Sequence, residues 1–269
     1  MHQDQIQHYV TLASELAVTA GQLALKMQCD ISIDYKQGNQ IVTDSDKACQ
    51  EIILAGIKKA YPHHGFIGEE SANHRLLKIF PQAKCDIWWV VDPIDGTRNY
   101  AHGTGQYCIS IGVVAAGIPI CGVIYEPCSQ KLFIGGPKTP PTCNEITIKC
   151  NDAPFNFDSQ IAIAGSHPVD YQNGIEQIFN NHVYINLGSA ALHFAYLAFG
   201  AFQGAISWKL KLWDVVAGYA ICQSAGAEII NFQNKKMTPF DLDNYQGESV
   251  PIISCTPHVK NGLLAALGV

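Results

Sequence analysis

The chain has 269 residues, a formal net charge of −6 and 48% hydrophobic residues, enough apolar material for a large buried core in one domain or two packed halves. The negative charge excludes a general nucleic-acid binder, which needs a basic face to displace counterions. Ten cysteines are scattered without a C-x-x-C pair, which argues against a zinc knuckle or thioredoxin-type site and for reduced, mostly buried thiols.

The opening MHQDQIQHYV carries neither the basic flank nor the apolar run of a secretory signal, so a cytoplasmic protein is expected. Ile6, Val10, Ala13, Ala17, Ala20, Ala24 and Met27 recur at three- and four-residue steps and predict an amphipathic helix. A second helix is expected over residues 46–60, with Asp44, Ser45 and Asp46 as candidate caps. The near-continuous apolar run 87–91 reads as a strand buried on both faces. Segments 109–114 and 120–125 read as a hairpin, and 132–134 as a further strand. Residues 135–160, rich in Pro, Thr and Asn, are the candidate seam between an N-terminal α+β half (1–150) and a C-terminal α/β half (151–269). Beyond it, 160–164 and 205–208 read as strands, 189–199 as a helix, and 214–225 as a helix closed by Gly226. The uncharged stretch 188–208 is long enough to span a bilayer. Gly200, Gln203, Gly204 and His193 interrupt it, which favours a buried helix followed by a strand. Helices and strands alternate with hairpins as well as crossovers, so a layered α/β protein with mixed sheets is expected.

The chemistry concentrates in WWVVDPIDGTRNY, residues 88–100. A buried strand ends at Asp92, Pro93 fixes the turn, Asp95 follows, and Gly96-Thr97 open a short helix. Two carboxylates at a strand mouth can share a cation, and N–H groups at the helix start can receive an anion. Taken alone, such a D-P-x-D quartet also suits a turn and a helix cap.

Three further segments accompany it. Gly68-Glu69-Glu70-Ser71, Val42-Thr43-Asp44-Ser45-Asp46 and Trp213-Asp214-Val215-Val216-Ala217-Gly218, together with Trp89 to Thr97, occur in an order that resembles the inositol monophosphatase family. That family comprises lithium-sensitive, magnesium-dependent phosphatases, and the resemblance covers nearly the whole chain. It implies an αβαβα sandwich of the inositol monophosphatase and fructose-1,6-bisphosphatase type, commonly dimeric, acting on a small phosphorylated substrate with no membrane or nucleic-acid partner. It further implies that two to three Mg²⁺ ions are held by Glu69, Asp92, the Ile94 carbonyl, Asp95 and Asp214. Glu69 joins the catalytic group with Thr97 and Asp46, the pair that would orient and activate the attacking water. Gly96 and Thr97 would grip the phosphate. Lys36 matches a family lysine near the site, and Gly188-Ser189-Ala190-Ala191 matches an element of the pocket wall.

The proposed ligands are all oxygen donors and include no histidine, as hard Mg²⁺ prefers. Substrate selection departs from the pattern. Inositol-selective relatives place a glutamate seven residues before the W-D aspartate, where this chain has Ser207, with Lys209 and Lys211 nearby. The expected reaction is hydrolysis of an inositol monophosphate-type ester. A 3′-phosphorylated adenosine nucleotide, a sugar bisphosphate or histidinol phosphate are the alternatives. On an alternating strand the two lysines would instead face solvent. Some bacterial relatives also act as binding partners in transcription complexes, so a regulatory protein on a phosphatase fold is a reading of a different class.

Overall fold

The computed structural model describes residues 2–29, 31–36, 40–71, 76–82 and 85–269. Helix α1 (Gln3–Met27) buries Ile6, Val10, Ala13, Ala17, Ala20 and Ala24, the face its periodicity predicts. A hairpin of β1 (Ile33–Lys36) and β2 (Gln40–Thr43) leads into α2 (Asp44–Ala60). The three expected caps lie inside α2, because Thr43 is the N-cap. Its hydroxyl accepts from the Asp46 N–H, and the Asp46 carboxylate accepts from the Thr43 N–H at 2.8 Å.

Strands β3 (Gly65–Gly68), β4 (Leu77–Ile79) and β5 (Ile87–Asp95) precede the short helix α3 (Thr97–Ala101). Next come β6 (Cys108–Ala115), β7 (Ile118–Glu126), β8 (Lys131–Gly136), β9 (Thr139–Cys143) and β10 (Ile146–Thr147). All but β1 and β2 join one sheet, ordered β10-β9-β8-β7-β6-β5-β3-β4, in which only β3 and β5 run parallel. Ala116 and Gly117 close the β6–β7 hairpin with φ of 48° and 74°, the left-handed pair whose twist matches that of the strands.

The remaining chain forms β11 (Gln160–Ala164), α4 (Gln172–Asn181), β12 (Val183–Ile185), α5 (Ala190–Ala198), β13 (Gly204–Ser207), α6 (Leu212–Ser224), β14 (Glu228–Ile230), β15 (Ile252–Cys255) and α7 (Pro257–Leu267). Its five strands make a second sheet, ordered β12-β11-β13-β15-β14. The segment 188–208 is α5 followed by β13, and no helix among the described residues is long and apolar enough to cross a membrane.

Alternation of side chains sets the layers. On the second sheet Ile161, Ile163 and Ile206 face α4 and α7, packing with Ile175, Ile178, Val259 and Leu263. Ala162 and Ala205 point the other way, into a core with α5 and α6. Helices α1 and α2 cover one face of the large sheet, and α6 lies across β5 to β8 on the other. The result is the αβαβα sandwich.

Three glycines seat α6. Gly112 is the register partner of Gly122, and Gly122 of Gly135, so they form a row across β6, β7 and β8. A Cβ on Gly112 would stand 2.9 Å from the Ala217 nitrogen, and one on Gly122 2.8 Å from the Ala217 Cα. The helix therefore lies in a trough with no room for side chains beneath it.

Candidate active site

A β-bulge brings the two aspartates of the D-P-x-D quartet together. In a regular strand, residues three apart face opposite sides. Here Asp92 pairs with Ser110 and Asp95 with Cys108, three residues of β5 against two of β6. The extra residue restores parity, so both carboxylates face one side. Pro93, with no N–H to contribute to the ladder, stands within the bulge. The parallel register Gly68↔Val91 sets Glu69, one residue beyond β3, abreast of Asp92. Gln50 on α2 fixes this corner by donating to the Glu70 carbonyl and accepting from the Glu70 N–H at 2.9 Å. A side chain at Gly68 would collide with Gln50.

Asp95 is held by the start of α5. Ser189 Oγ donates to Asp95 Oδ2 at 2.5 Å and the Ala191 N–H donates to the same oxygen at 2.6 Å. Ser189 Oγ also caps α5 by accepting from the Leu192 N–H at 3.3 Å. Asp214 enters from the first turn of α6, its Oδ2 accepting from the Lys211 N–H at 2.7 Å. Ser110 Oγ ties that turn to β6 by donating to the Trp213 carbonyl at 3.3 Å. Carboxylate oxygens of Asp92, Asp95 and Asp214 all lie within 4.8 Å of one another.

Burial and mutual repulsion raise the pKa values of all three. Asp95 is pushed up to about 6 by burial, against the lowering effect of its bonds from Ser189 and Ala191. Asp92 is raised well above the usual range by burial and then by Glu69, Asp95 and Asp214. Asp214 is raised by burial, Asp95 and Glu69. Among the described residues no lysine or arginine forms an ion pair with any of these aspartates. A divalent cation would offset both burial and repulsion, and a donor set made only of carboxylate and carbonyl oxygens suits Mg²⁺.

Asp46 and Thr97 stand behind this cluster. Thr97 Oγ lies 3.1 Å from Asp46 Oδ1 and 3.0 Å from the Ile94 carbonyl, to either of which it donates. Asp46 Oδ2 is held by the N–H and hydroxyl of Thr43, at 2.8 and 2.5 Å. Burial lifts Asp46 to about 6, with the Thr43 bond opposing the rise. Gly96, at φ 95°, opens α3 with a conformation that favours glycine, and a Cβ there would stand 2.9 Å from the Gln106 carbonyl.

A cavity of about 250 Å³ collects Glu69, Asp92, Ile94, Asp95, Gly96, Thr97, Gly188 and Asp214 on its walls. Ser189 and Ala190 do not line the cavity; Ser189 is turned toward Asp95 because its hydroxyl both caps α5 and binds that carboxylate. Ser207 is also absent from the wall, since its hydroxyl is directed to the Ala164 carbonyl at 3.3 Å. Lys209 and Lys211 stand beyond β13, in the turn before α6, and line the cavity together with Arg98. The side chain of Lys36 lies outside the described residues. Sequence reasoning missed Gln50, Ser110 and Asn99. Asn99 Nδ2 donates to the Gln106 and Leu187 carbonyls at 2.6 and 2.7 Å, fastening α3 to the loop before α5. Only the adjacency of Asn99 to the D-P-x-D-G-T run gave a signal.

Comparison with known proteins agrees with this architecture. The chain is 30% identical over 243 residues to the Nus factor SuhB of Xylella fastidiosa, covering 87% of this chain and 83% of that protein. The structure of an inositol monophosphatase from Anabaena (Nostoc) sp. PCC 7120 superposes with a TM-score of 0.82 at 28% identity, covering 98% of this chain and 96% of that one. An IMPase/NADP phosphatase, described as complexed with Mg²⁺ and phosphate, shares the fold with a TM-score of 0.83 at 19% identity, covering 98% and 97%. The sequence matches the inositol monophosphatase family over residues 5–267, and the chain belongs to that family.

Proposed function

We propose that this protein is a Mg²⁺-dependent phosphatase that hydrolyses a small phosphate monoester of the inositol monophosphate type. The observation that carries this reading is the convergence of Asp92, Asp95 and Asp214 within 4.8 Å, in the same cavity as the glycine-opened start of α3. Glu69, Asp92, Asp95, Asp214 and the Ile94 carbonyl would hold two to three Mg²⁺ ions. When bound, Mg²⁺ supplies Lewis-acid neutralisation of the phosphate and of the leaving oxygen.

The chain's own groups do the rest. Thr97 and Asp46 orient the attacking water and receive its proton; a carboxylate raised to about 6 is a competent base near neutrality. Glu69 shares in this activation from the end of β3. The N–H groups of Gly96 and Thr97, at the start of α3, receive the phosphate oxygens. Ser189 and the Ala191 N–H fix Asp95 Oδ2, leaving Oδ1 for the cation.

Phosphate release from inositol 1-phosphate in Mg²⁺, abolished by EDTA and by Asp92→Asn, tests the reading. Full turnover in chelator would refute it. Lithium should inhibit by replacing a catalytic Mg²⁺, and a homodimer is expected by sedimentation. We further infer cytoplasmic action. Because a 30% identical relative is a Nus factor, a second role as a binding partner in transcription merits its own test. A specific protein that co-purifies equally with the native chain and with Asp92→Asn would support it.

A further inference from the structure

The uncharged stretch 188–208 contains a single histidine, His193, which the chemistry above leaves unused. It lies within α5, one turn beyond the Ser189 cap, with only 2% of its surface exposed. A buried imidazole needs a hydrogen-bonding partner, and His193 finds its partner outside its own helix. Its Nε2 accepts from the Leu187 N–H at 2.9 Å. An accepting ring nitrogen carries a lone pair, so the ring proton belongs on Nδ1. Burial lowers the pKa of His193 to about 4, which keeps that lone pair available at neutral pH.

The peptide it holds is a joint of the site. The Leu187 carbonyl accepts from Asn99 Nδ2 of α3 at 2.7 Å, so both polar backbone atoms of Leu187 are bonded. Gly188 follows with φ of 71°, and its N–H donates to Asn186 Oδ1 at 2.9 Å. Glycine turns freely, and this turn sets the angle at which the chain enters α5. That angle matters because Asp95 sits against the start of α5, where Ser189 Oγ and the Ala191 N–H both meet its Oδ2. Residues 186–188 are exposed or half-buried, so packing alone does not hold them, and directed bonds must. Asn99 ties the joint to α3, and His193 ties it back to α5.

We infer that His193 is a positioning residue for the metal centre proposed above, an inference that rests on that reading. By holding the Leu187 N–H it fixes the Gly188 turn, so that Ser189 and Ala191 present their donors to Asp95 Oδ2. Asp95 Oδ1 then stays free for the cation. His193 does not line the cavity, and its effect passes through Leu187, Gly188 and Ser189. Removing an outer partner of this kind typically changes metal affinity or activity by about 10- to 100-fold.

Calorimetric titration of Mg²⁺ into the metal-free chain tests this without reliance on turnover. His193→Leu, which keeps the bulk but removes the acceptor, should weaken Mg²⁺ binding by about tenfold. His193→Gln, whose amide oxygen stands about as far along the side chain as Nε2, should retain most of the affinity. The double variant with Ser189→Ala should bind Mg²⁺ no more weakly than Ser189→Ala alone, because both changes release the same carboxylate. Native affinity in His193→Leu, equal loss in both His193 variants, or losses that add in the double variant would overturn the inference and leave the phosphatase reading standing. A native chain that binds no Mg²⁺ would refute the metal-centre reading, and the inference with it. Should His193→Leu fail to fold, amide exchange in the native chain decides. Coupling is reciprocal, so Mg²⁺ should slow exchange of the Leu187 N–H by about tenfold relative to amides of α7. Exchange at Leu187 that Mg²⁺ slows no more than in α7 would overturn the inference.

Discussion

Gly122→Ala tests whether the glycine trough sets the metal-ligand geometry. A Cβ at this position would stand 2.8 Å from the Ala217 Cα and 2.7 Å from its carbonyl carbon. Carbon atoms in contact prefer about 3.5–4.0 Å, so α6 must retreat by about 1 Å or the strand must bend. The obstructing atoms are backbone, so no rotamer change relieves the clash. Overpacking of this kind costs about 1–3 kcal/mol. The functional effect should exceed what the lost stability explains. Ala217 lies three residues beyond Asp214 on the same helix, and a retreat of about 1 Å draws Asp214 away from Asp92 and Asp95, a misplacement that can cost on the order of 10²-fold in rate. Urea denaturation gives the stability term, and turnover against Mg²⁺ concentration gives the second. The variant should remain folded, lose stability in that range and need more Mg²⁺ for half-maximal activity. Native stability together with an unchanged Mg²⁺ requirement would refute the trough as the device that places Asp214.

Three further outcomes are expected. Thr97→Ala and Asp46→Asn should each lower kcat by about 10²–10⁴-fold, the usual range for a proton-handling group; unchanged kcat in both would move water activation elsewhere. Ser189→Ala removes a helix cap and a donor to Asp95 together, and should cost about 0.5–2 kcal/mol in denaturation with weaker Mg²⁺ binding by calorimetry. For pH, Asp46 and Asp95 are raised to about 6 from 3.8, so the metal-free folded state binds more protons than the unfolded state between those values. Metal-free stability should therefore fall as pH rises from 4 through 6. Because the cation needs ionised carboxylates, Mg²⁺ binding should release protons and tighten over the same rise. Melting temperatures with and without Mg²⁺ at pH 5 and 7.5 check both signs.

The sequence by itself determined the layered α/β class, the buried strand that ends in the D-P-x-D quartet, the β6–β7 hairpin and the helix after Trp213. Apolar periodicity and turn residues report on one segment at a time, and in these segments they agree. Shared resemblance to one family named the candidate ligands Glu69, Asp92, Asp95 and Asp214 without saying how they meet. Their meeting depends on contacts distant in sequence: the bulge opposite Ser110 and Cys108, the parallel register of β3 on β5, and the glycine row beneath α6. The cap of α2 was misread for a local reason, since Thr43, Asp44, Ser45 and Asp46 are all good cap residues and only the reciprocal bonds of Thr43 and Asp46 distinguish them. The partners of Ser189 and Ser207 were illegible for a tertiary one. A hydroxyl's partner is chosen by which acceptor packing brings near, and here these are Asp95 and the Ala164 carbonyl. Lys209 and Lys211 are the converse case: an alternating strand would have turned them to solvent, but β13 ends at Ser207, and the turn beyond it sets both on the wall of the cavity.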